Sequence, residues 1–468
     1  MTRQLLLALC VLAAAGLSAC GGSGGDGPGI AFVRGVNAVP DAPPLEGALT
    51  DYVVAPSVPY PRASNFAVES FESNSARRRL VVRPVLPGND KGDPVLDQDV
   101  TLVRDTEATL VLYGSIDAMQ VMLVETPRRL RPLDRLYMQF AHVAKSIGTV
   151  DVYATAPDTD LASTAPLFTV APEDYTSSVE VPFEDLRIRL ARQGTLDVVF
   201  DSGTIDFEDD PDRDDGEEFV LSIIDTLTAG ASPVKLLGAT NTGGSIVFSD
   251  ENGLAGLRVV HAARGTGPFD VVVGDDFASP LATDLSYTEA STMAAAPRGT
   301  VNLNFTQPGS TTEFVFEEQV TLTADADHTL WLLGQPDSLA ALTAEADRRS
   351  IATEARLRLV HGAPDGDFFS LYLGEAAADP PDTADRQFVD LRYGEASGYR
   401  AYTPGDYVLT LTERFYTSAG DRDDAEESVV VGPVDLSLAG GDVITLLILP
   451  PETAGGPEVL EIYNDLDM

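Results

Sequence analysis

Cysteine is nearly missing from this chain: Cys10 and Cys20 are the only two in 468 residues. Cys10 lies in a leader expected to be removed, so no intrachain disulfide and no cysteine zinc cluster can form. Histidine is almost as scarce, with four, and there is one tryptophan. Aromatic residues make up 7%, and Phe and Tyr mostly alternate as core positions. That argues against the exposed aromatic platform of a carbohydrate- or peptide-binding module. Positive charge is the third shortage. Lys and Arg total 31 against 73 Asp and Glu, a net charge of −42, and loss of Arg3 with the leader adds one negative unit. So acidic a chain repels phosphate, which excludes nucleic acid as a partner and disfavours direct adhesion to anionic lipid heads. Beyond the leader no apolar run approaches the 18 or so residues of a membrane-spanning helix. No glycine-rich phosphate loop stands between strand and helix. Among so many carboxylates, no pair stands out for glycoside hydrolysis.

The leader itself is readable. Arg3 is a small basic n-region, Leu5–Ala15 an apolar h-region, and Leu17-Ser-Ala-Cys20 has the form of a bacterial lipoprotein box. Residues 1–19 are expected to be the signal peptide, with Cys20 receiving diacylglycerol as the membrane anchor. Residues 20–29 then form a Gly-rich tether. Residue 21 is Gly rather than Asp, which in lipoprotein sorting favours the outer membrane. Gly21-Gly-Ser23-Gly-Gly25 satisfies G-x-S-x-G only formally, because a nucleophile elbow needs a strand before it and a helix after it.

The rest of the chain is written four times. Arg356-Leu-Arg-Leu-Val-His361 alternates, with Leu357, Leu359 and His361 on one face and Arg356, Arg358 and Val360 on the other. The Ala363-Pro-Asp-Gly366 turn and the strand pattern Phe369, Leu371, Leu373 follow. Leu257-Arg-Val-Val-His261 with Phe269-Asp-Val-Val-Val273 repeats the unit, as does Met138-Gln-Phe-Ala-His142 with Val150-Asp-Val-Tyr153. Phe32-Val-Arg-Gly-Val-Asn37 opens the first copy, with Asn where the others carry His. Positions 37, 142, 261 and 361 lie 105, 119 and 100 residues apart, a domain-sized period. Late apolar strands are predicted at Ala108–Tyr113, Phe219–Ile224, Thr329–Leu333 and Val443–Leu449. A final strand is predicted in the first and last units only. Six or seven strands per unit, with frequent turn signals, predict an all-β chain of four tandem immunoglobulin-like sandwiches, at residues 30–127, 136–240, 255–344 and 355–468. The stretches between are polar, Pro-, Gly- or charge-containing, and read as linkers that few contacts cross.

The Leu-Arg-Val-Val-His-Ala strand, the Pro-Asp turn, the Tyr…Ser…Tyr middle around Tyr393 and Tyr399, and Pro404-Gly before a strand together resemble the domain-of-unknown-function 4397 family. That family occurs as tandem repeats in secreted and surface-anchored bacterial proteins. The resemblance implies a β-sandwich and an extracytoplasmic location, and it implies no activity.

Candidate chemistry is sparse. His142, His261 and His361 share one repeat position, where a ligand or a general base is conceivable. Asn37 decides otherwise: it can replace His as a short-range hydrogen-bonding group but not as a base. A structural role at the strand end follows, and His328 reads as an isolated core or loop residue. Asp210, Asp212 and Asp214 alternate as calcium ligands do, yet Asp215 and Leu221 stand where a calcium loop needs Gly and Glu. A solvated acidic loop is the better reading, with no metal and no cofactor. Arg128, Arg129, Arg131 and Arg135 read as a connector that neutralises nearby acids. The expected function is a lipid-anchored cell-envelope protein, non-catalytic, serving as a binding, adhesion or spacer module for a protein or polysaccharide partner. The alternative is a carbohydrate- or peptide-binding lipoprotein.

Overall fold

Alternating apolar residues form strands throughout the described residues. The computed structural model describes residues 29–182, 184–206, 216–230, 232–376, 381–416, 425–451 and 458–466. Its regular elements are 35 β-strands and four short 3-10 turns, so the protein is all-β. No helix among the described residues is long and apolar enough to cross a membrane. Eight sheets pack face to face in four pairs, each enclosing one apolar core.

The last unit shows the plan. One sheet runs Arg400–Tyr402, Ala355–His361, Val443–Leu449, Val459–Asn464; the opposing sheet runs Arg386–Arg392, Phe368–Gly374, Gly405–Tyr416, Ala425–Leu438. Leu357 and Leu359 point inward and meet Phe369, Leu371, Leu409 and Leu446. The opening strand lies parallel to the late apolar strand, from Arg356 opposite Val443 to His361 opposite Ile448. The other three units share this parallel pairing. A hairpin cannot join parallel neighbours, so the intervening chain builds the second sheet before it returns. A final strand follows the late strand in every unit, including Val234–Thr240 and Ser338–Glu345, which the sequence pattern did not single out. The second unit continues to Phe248, since Ser245–Phe248 pairs with Val234–Thr240 inside the stretch read as a linker.

The Ala363–Gly366 turn closes with the Gly366 N–H donating to the Ala363 carbonyl at 3.2 Å. A positive φ does not account for this glycine, since Gly366 is not among the residues with one. Close approach explains it instead: a Cβ at this position would lie 2.5 Å from the Phe369 ring. In the third unit the turn glycine falls one position earlier, at Gly265, and does have φ +79°.

The outer faces of the opening strands are not solvated. Leu136–His142, Ala255–His261 and Ala355–His361 are buried at every position, as is Val443–Leu449. The reason is a second set of cores between units. Val36, Val111, Met122 and Val124 of the first unit pack against Ala141, Val220, Ile224 and Leu237 of the second. Val260, Trp331 and Leu333 of the third pack against Val360, Leu447, Leu449 and Tyr463 of the fourth. Units 1 and 2, and units 3 and 4, therefore stack through their parallel-paired sheets. This corrects the expectation that few contacts cross between neighbouring repeats. Near-continuous apolar strands are what a sheet buried on both faces requires.

Three residues before each strand-end Asn or His sits a polar side chain that faces this interface: Arg34, Gln139, Arg258 and Arg358, each 1–2% exposed. In three units its Nε donates to a threonine Oγ1 on the parallel neighbour, Arg34 to Thr109 at 2.9 Å, Arg258 to Thr329 and Arg358 to Thr445 at 2.8 Å. The rest of the group reaches the end of the partner unit's final strand. Arg34 donates to the Ala239 carbonyl at 3.1 Å and to that of Thr240. Gln139 meets Thr126, whose hydroxyl donates to its Oε1 at 2.6 Å. Arg358 donates to the Glu345 carbonyl at 3.1 Å. Arg258 pairs with Asp465, which is fully buried and also lies 3.6 Å from Arg358. The clasps are reciprocal, as in a two-fold interface.

If pairs of units are the folding blocks, a fragment of residues 255–468 should melt in one transition. A fragment of residues 355–468 exposes Val360, Leu447, Leu449 and Tyr463 and should melt lower and self-associate. Equal melting temperatures, with the shorter fragment monomeric, would contradict the pairing.

Candidate functional site

The strand-end position is closed to solvent. Asn37, His142, His261 and His361 are each 0% exposed. Asn37 Oδ1 accepts from the Val39 N–H at 3.0 Å, and its amide donates to the Val58 carbonyl at 3.0 Å. His261 and His361 do the same work with a ring: Nδ1 accepts from the N–H two residues on, Ala263 or Ala363, at 3.3 Å. The proton then sits on Nε2, and His261 Nε2 donates to the Gly267 carbonyl at 3.3 Å. His142 Nε2 is 3.0 Å from the Gly148 carbonyl. Phe269 lies tilted against the ring of His261 and Phe369 meets that of His361 edge to face, at 4.3 and 4.5 Å between centroids. Burial pushes the His261 and His361 imidazoles down to about 4 and lowers His142 too. A buried, neutral imidazole bonded to its own turn is a brace, and no substrate can reach it. His328 is likewise buried, with Nε2 accepting from the Thr323 N–H at 3.3 Å.

Among the described residues no group of three or more His, Cys, Asp or Glu could hold a metal. Cys20 and the acidic run with Asp210, Asp212 and Asp214 lie outside the described residues. The arginine-rich connector is tied down locally. Arg129 and Arg131 bond Glu218 at 3.1 and 2.7 Å, Arg131 also bonds Glu107 at 2.6 Å, and Arg128 stacks 4.3 Å over Phe32. Arg135 pairs with Glu180.

One concave site does gather unused polar groups. It lies where all four units meet, a cleft of about 780 Å3, within the ~300–1,000 Å3 range of small-molecule sites. Tyr60 of unit 1 forms a wall, with the Arg349 guanidinium 5.1 Å from its ring and the Lys235 ammonium at 5.8 Å. Arg349 is held by Asp347 at 2.9 Å, and Arg348 by Asp327 at 3.7 Å. The Ala229 N–H donates to Asp327 at 3.1 Å, clamping unit 2 to unit 3. Four charged side chains of the lining form no ion pair among the described residues: Asp41, which accepts from the Ile116 N–H, Glu345, which accepts from the Thr323 hydroxyl, Lys235 of unit 2 and Asp325 of unit 3. Burial lowers the Lys235 ammonium, with Asp325 pulling it back. Burial raises the Asp325 carboxyl, with Ser249 and Lys235 pulling it back. Both Asp325 oxygens are closed to solvent, beside the Ser249 side chain and the Asp250 backbone. Asp347, Arg348 and Arg349 form one short charged run, but Tyr60, Lys235 and Asp325 lie in three different units, and only the stacking of units brings them to one cleft.

The sequence profile of a domain of unknown function, DUF4397, matches residues 31–153 and 255–372, just over half of the chain. Each match starts at the opening strand of an odd-numbered unit and runs into the second strand of the next. No curated protein matches the chain. Among solved structures, the Bacillus anthracis TIE protein aligns over 90% of this chain and 68% of its own, with 9% identity and a TM-score of 0.16.

The bracing role gives a substitution test. His361→Asn should be nearly neutral, because Asn37 shows that an amide oxygen can take the turn N–H. His361→Ala leaves that N–H unpaired and should cost on the order of 1–3 kcal/mol in urea unfolding. A folded His361→Asn protein destabilised as much as the alanine variant would refute the brace. The pH dependence has a defined sign. An unfolded histidine titrates near 6.5, so as pH falls the unfolded chain takes up protons first. The stability from a neutral His361 is complete above about pH 6.5 and is lost towards pH 4. Wild type should therefore lose on the order of 3 kcal/mol relative to His361→Asn between pH 7.5 and pH 4. A pH-independent difference would contradict the buried neutral ring.

Proposed function

The chain belongs to the DUF4397 family, and on that premise we propose that it is a lipid-anchored protein of the cell envelope, whose stacked β-sandwiches serve as a non-catalytic binding and spacing module. One observation carries the reading: Leu17-Ser-Ala-Cys20, followed directly by a Gly-rich tether and then by repeats with strand-end histidines sealed as turn braces. An acyl anchor, a Gly-rich tether and a stack of sandwiches is the construction of a protein that holds a surface at a distance from a membrane. Gly21 in place of Asp supports the outer membrane as its location. The excess of carboxylates supports a protein or polysaccharide partner over nucleic acid.

A second reading, a lipoprotein that binds a small polar ligand, is favoured by the cleft between the four units. The anchor is tested at Cys20. Cys20→Ala should abolish incorporation of labelled palmitate and leave precursor or soluble protein; unchanged labelling would overturn the lipoprotein assignment.

A further inference from the structure

We propose that a second cleft, between units 1 and 2 at Gln139, binds the guanidinium of an arginine side chain presented by a protein or peptide partner. The proposal rests on the reading of a non-catalytic binding module and deepens it by naming the group recognised. It depends neither on the lipid anchor nor on the cleft between the four units.

Comparison of the four copies shows what this place lacks. A hydroxyl on the edge strand, Ser64, Thr176, Ser291 or Ser397, accepts from the N–H one residue after Arg34, Gln139, Arg258 or Arg358, which fixes the register. Two residues beyond that hydroxyl stand Phe66, Ser178, Met293 and Tyr399. Arg34 lies 4.4 Å over the Phe66 ring and Arg358 4.5 Å over that of Tyr399. Opposite each arginine stands Thr109, Thr329 or Thr445. Unit 2 replaces the whole set, with Gln139 for arginine, Val220 for threonine and Ser178 for the covering side chain. What is left is a cleft of about 740 Å3, whose lining includes Glu125, Gln139, Thr176 and Ser178. Glu125 holds the register position of Glu345, whose carbonyl accepts from Arg358 at 3.1 Å. The shorter Gln139 amide reaches the Glu125 carbonyl only at 3.5 Å. In unit 4 the matching space is filled by the Arg358 guanidinium and the Tyr399 ring, so the fourth copy shows the kind of group that the second leaves room for.

Charge selects a cation. The charged residues of the lining are Glu125, Arg129 and Asp174. Arg129 is paired with the buried Glu218 at 3.1 Å. Glu125 and Asp174 form no ion pair among the described residues. Burial raises the Glu125 carboxyl, and a cation beside it would favour its ionised form. Glu125 Oε1 is closed to solvent, so this carboxylate acts on a ligand through its charge and not by contact. The Asp174 side chain is exposed at the rim and open to direct pairing. A planar guanidinium, with five donors in fixed directions, suits a slot edged by carbonyl, hydroxyl and carboxylate oxygens better than a compact ammonium does.

The test is calorimetric titration of the full mature chain with Nα-acetyl-L-arginine amide and with the matching lysine and citrulline amides. The arginine compound should bind saturably. The lysine compound and the uncharged citrulline compound should each bind at least about tenfold more weakly. Ser178→Tyr restores the cover seen in unit 4 and should abolish binding, while Asp174→Asn should weaken it. Circular dichroism checks the fold of each variant, and Ser178→Phe, after Phe66, replaces Ser178→Tyr if that protein is unfolded. Lys235→Gln, in the four-unit cleft, should leave binding unchanged. The proposal is overturned if no saturable binding occurs, if the citrulline compound binds as well as the arginine compound, or if a folded Ser178 variant binds like wild type. Loss of binding in a folded Lys235→Gln protein, or binding of chitotriose where the arginine compound does not bind, would overturn it too. Palmitate labelling at Cys20 is indifferent to all of these results, so failure here and failure of the anchor are separate outcomes.

Discussion

A guanidinium buried between two sheets is the constraint on which the architecture turns. Arg34, Arg258 and Arg358 each sit in a strand with no access to water, where an unsatisfied cation would cost several kcal/mol. Each is accommodated by a fixed set of acceptors: a threonine on the parallel neighbour, and carbonyl or carboxylate oxygens at the end of the partner unit's final strand. The desolvation is visible in Arg34, which burial pushes down to about 10. Apolar packing alone would let two sheets slide. A planar donor that must meet named oxygens in the partner unit sets their register and orientation. In the second half Arg358 is also held between the rings of Trp331 and Tyr399, at 4.7 and 4.5 Å. Asp465 collects both arginines together with the hydroxyls of Thr445 and Tyr399.

From that clasp the rest follows. Units joined through sheets buried on both faces form blocks, not beads on a string. Two blocks side by side leave a seam, and the seam holds the cleft. Because its walls come from all four units, the cleft exists only when both blocks are formed, and any ligand there reads the assembled chain. The strand-end histidines, the chemically suggestive residues of the sequence, are consumed by local bracing. The polar groups that line that cleft are thereby unrepeated residues at the seam and not those of the repeated motif.

This displacement explains what was legible in the sequence. Alternation at Leu357, Leu359 and Phe369, the Pro-Asp-Gly turn and the Asn37-for-His exchange are local, and each corresponds to a local physical feature. Val-Lys-Leu-Leu-Gly-Ala-Thr carries a glycine and no clean alternation, so the strand Val234–Thr240 is legible only once its outer face is known to be covered. Arg358 was placed on the correct face, but nothing nearby says that the face is buried. A hint was present: an arginine recurring three residues before the strand-end residue in three apolar strands, with threonine recurring in the late strands. Lys235 and Asp325, by contrast, are joined only through tertiary stacking, and no periodicity or spacing links them.

The pairing claim is tested most directly by native-state amide hydrogen exchange on the intact chain, comparing wild type with Arg358→Met. If the clasp joins units 3 and 4 into one cooperative block, the opening strands Ala255–His261 and Ala355–His361 should exchange at a common free energy in wild type, and the substitution should lower both together. Loss of protection confined to Ala355–His361, with Ala255–His261 unchanged, would contradict it.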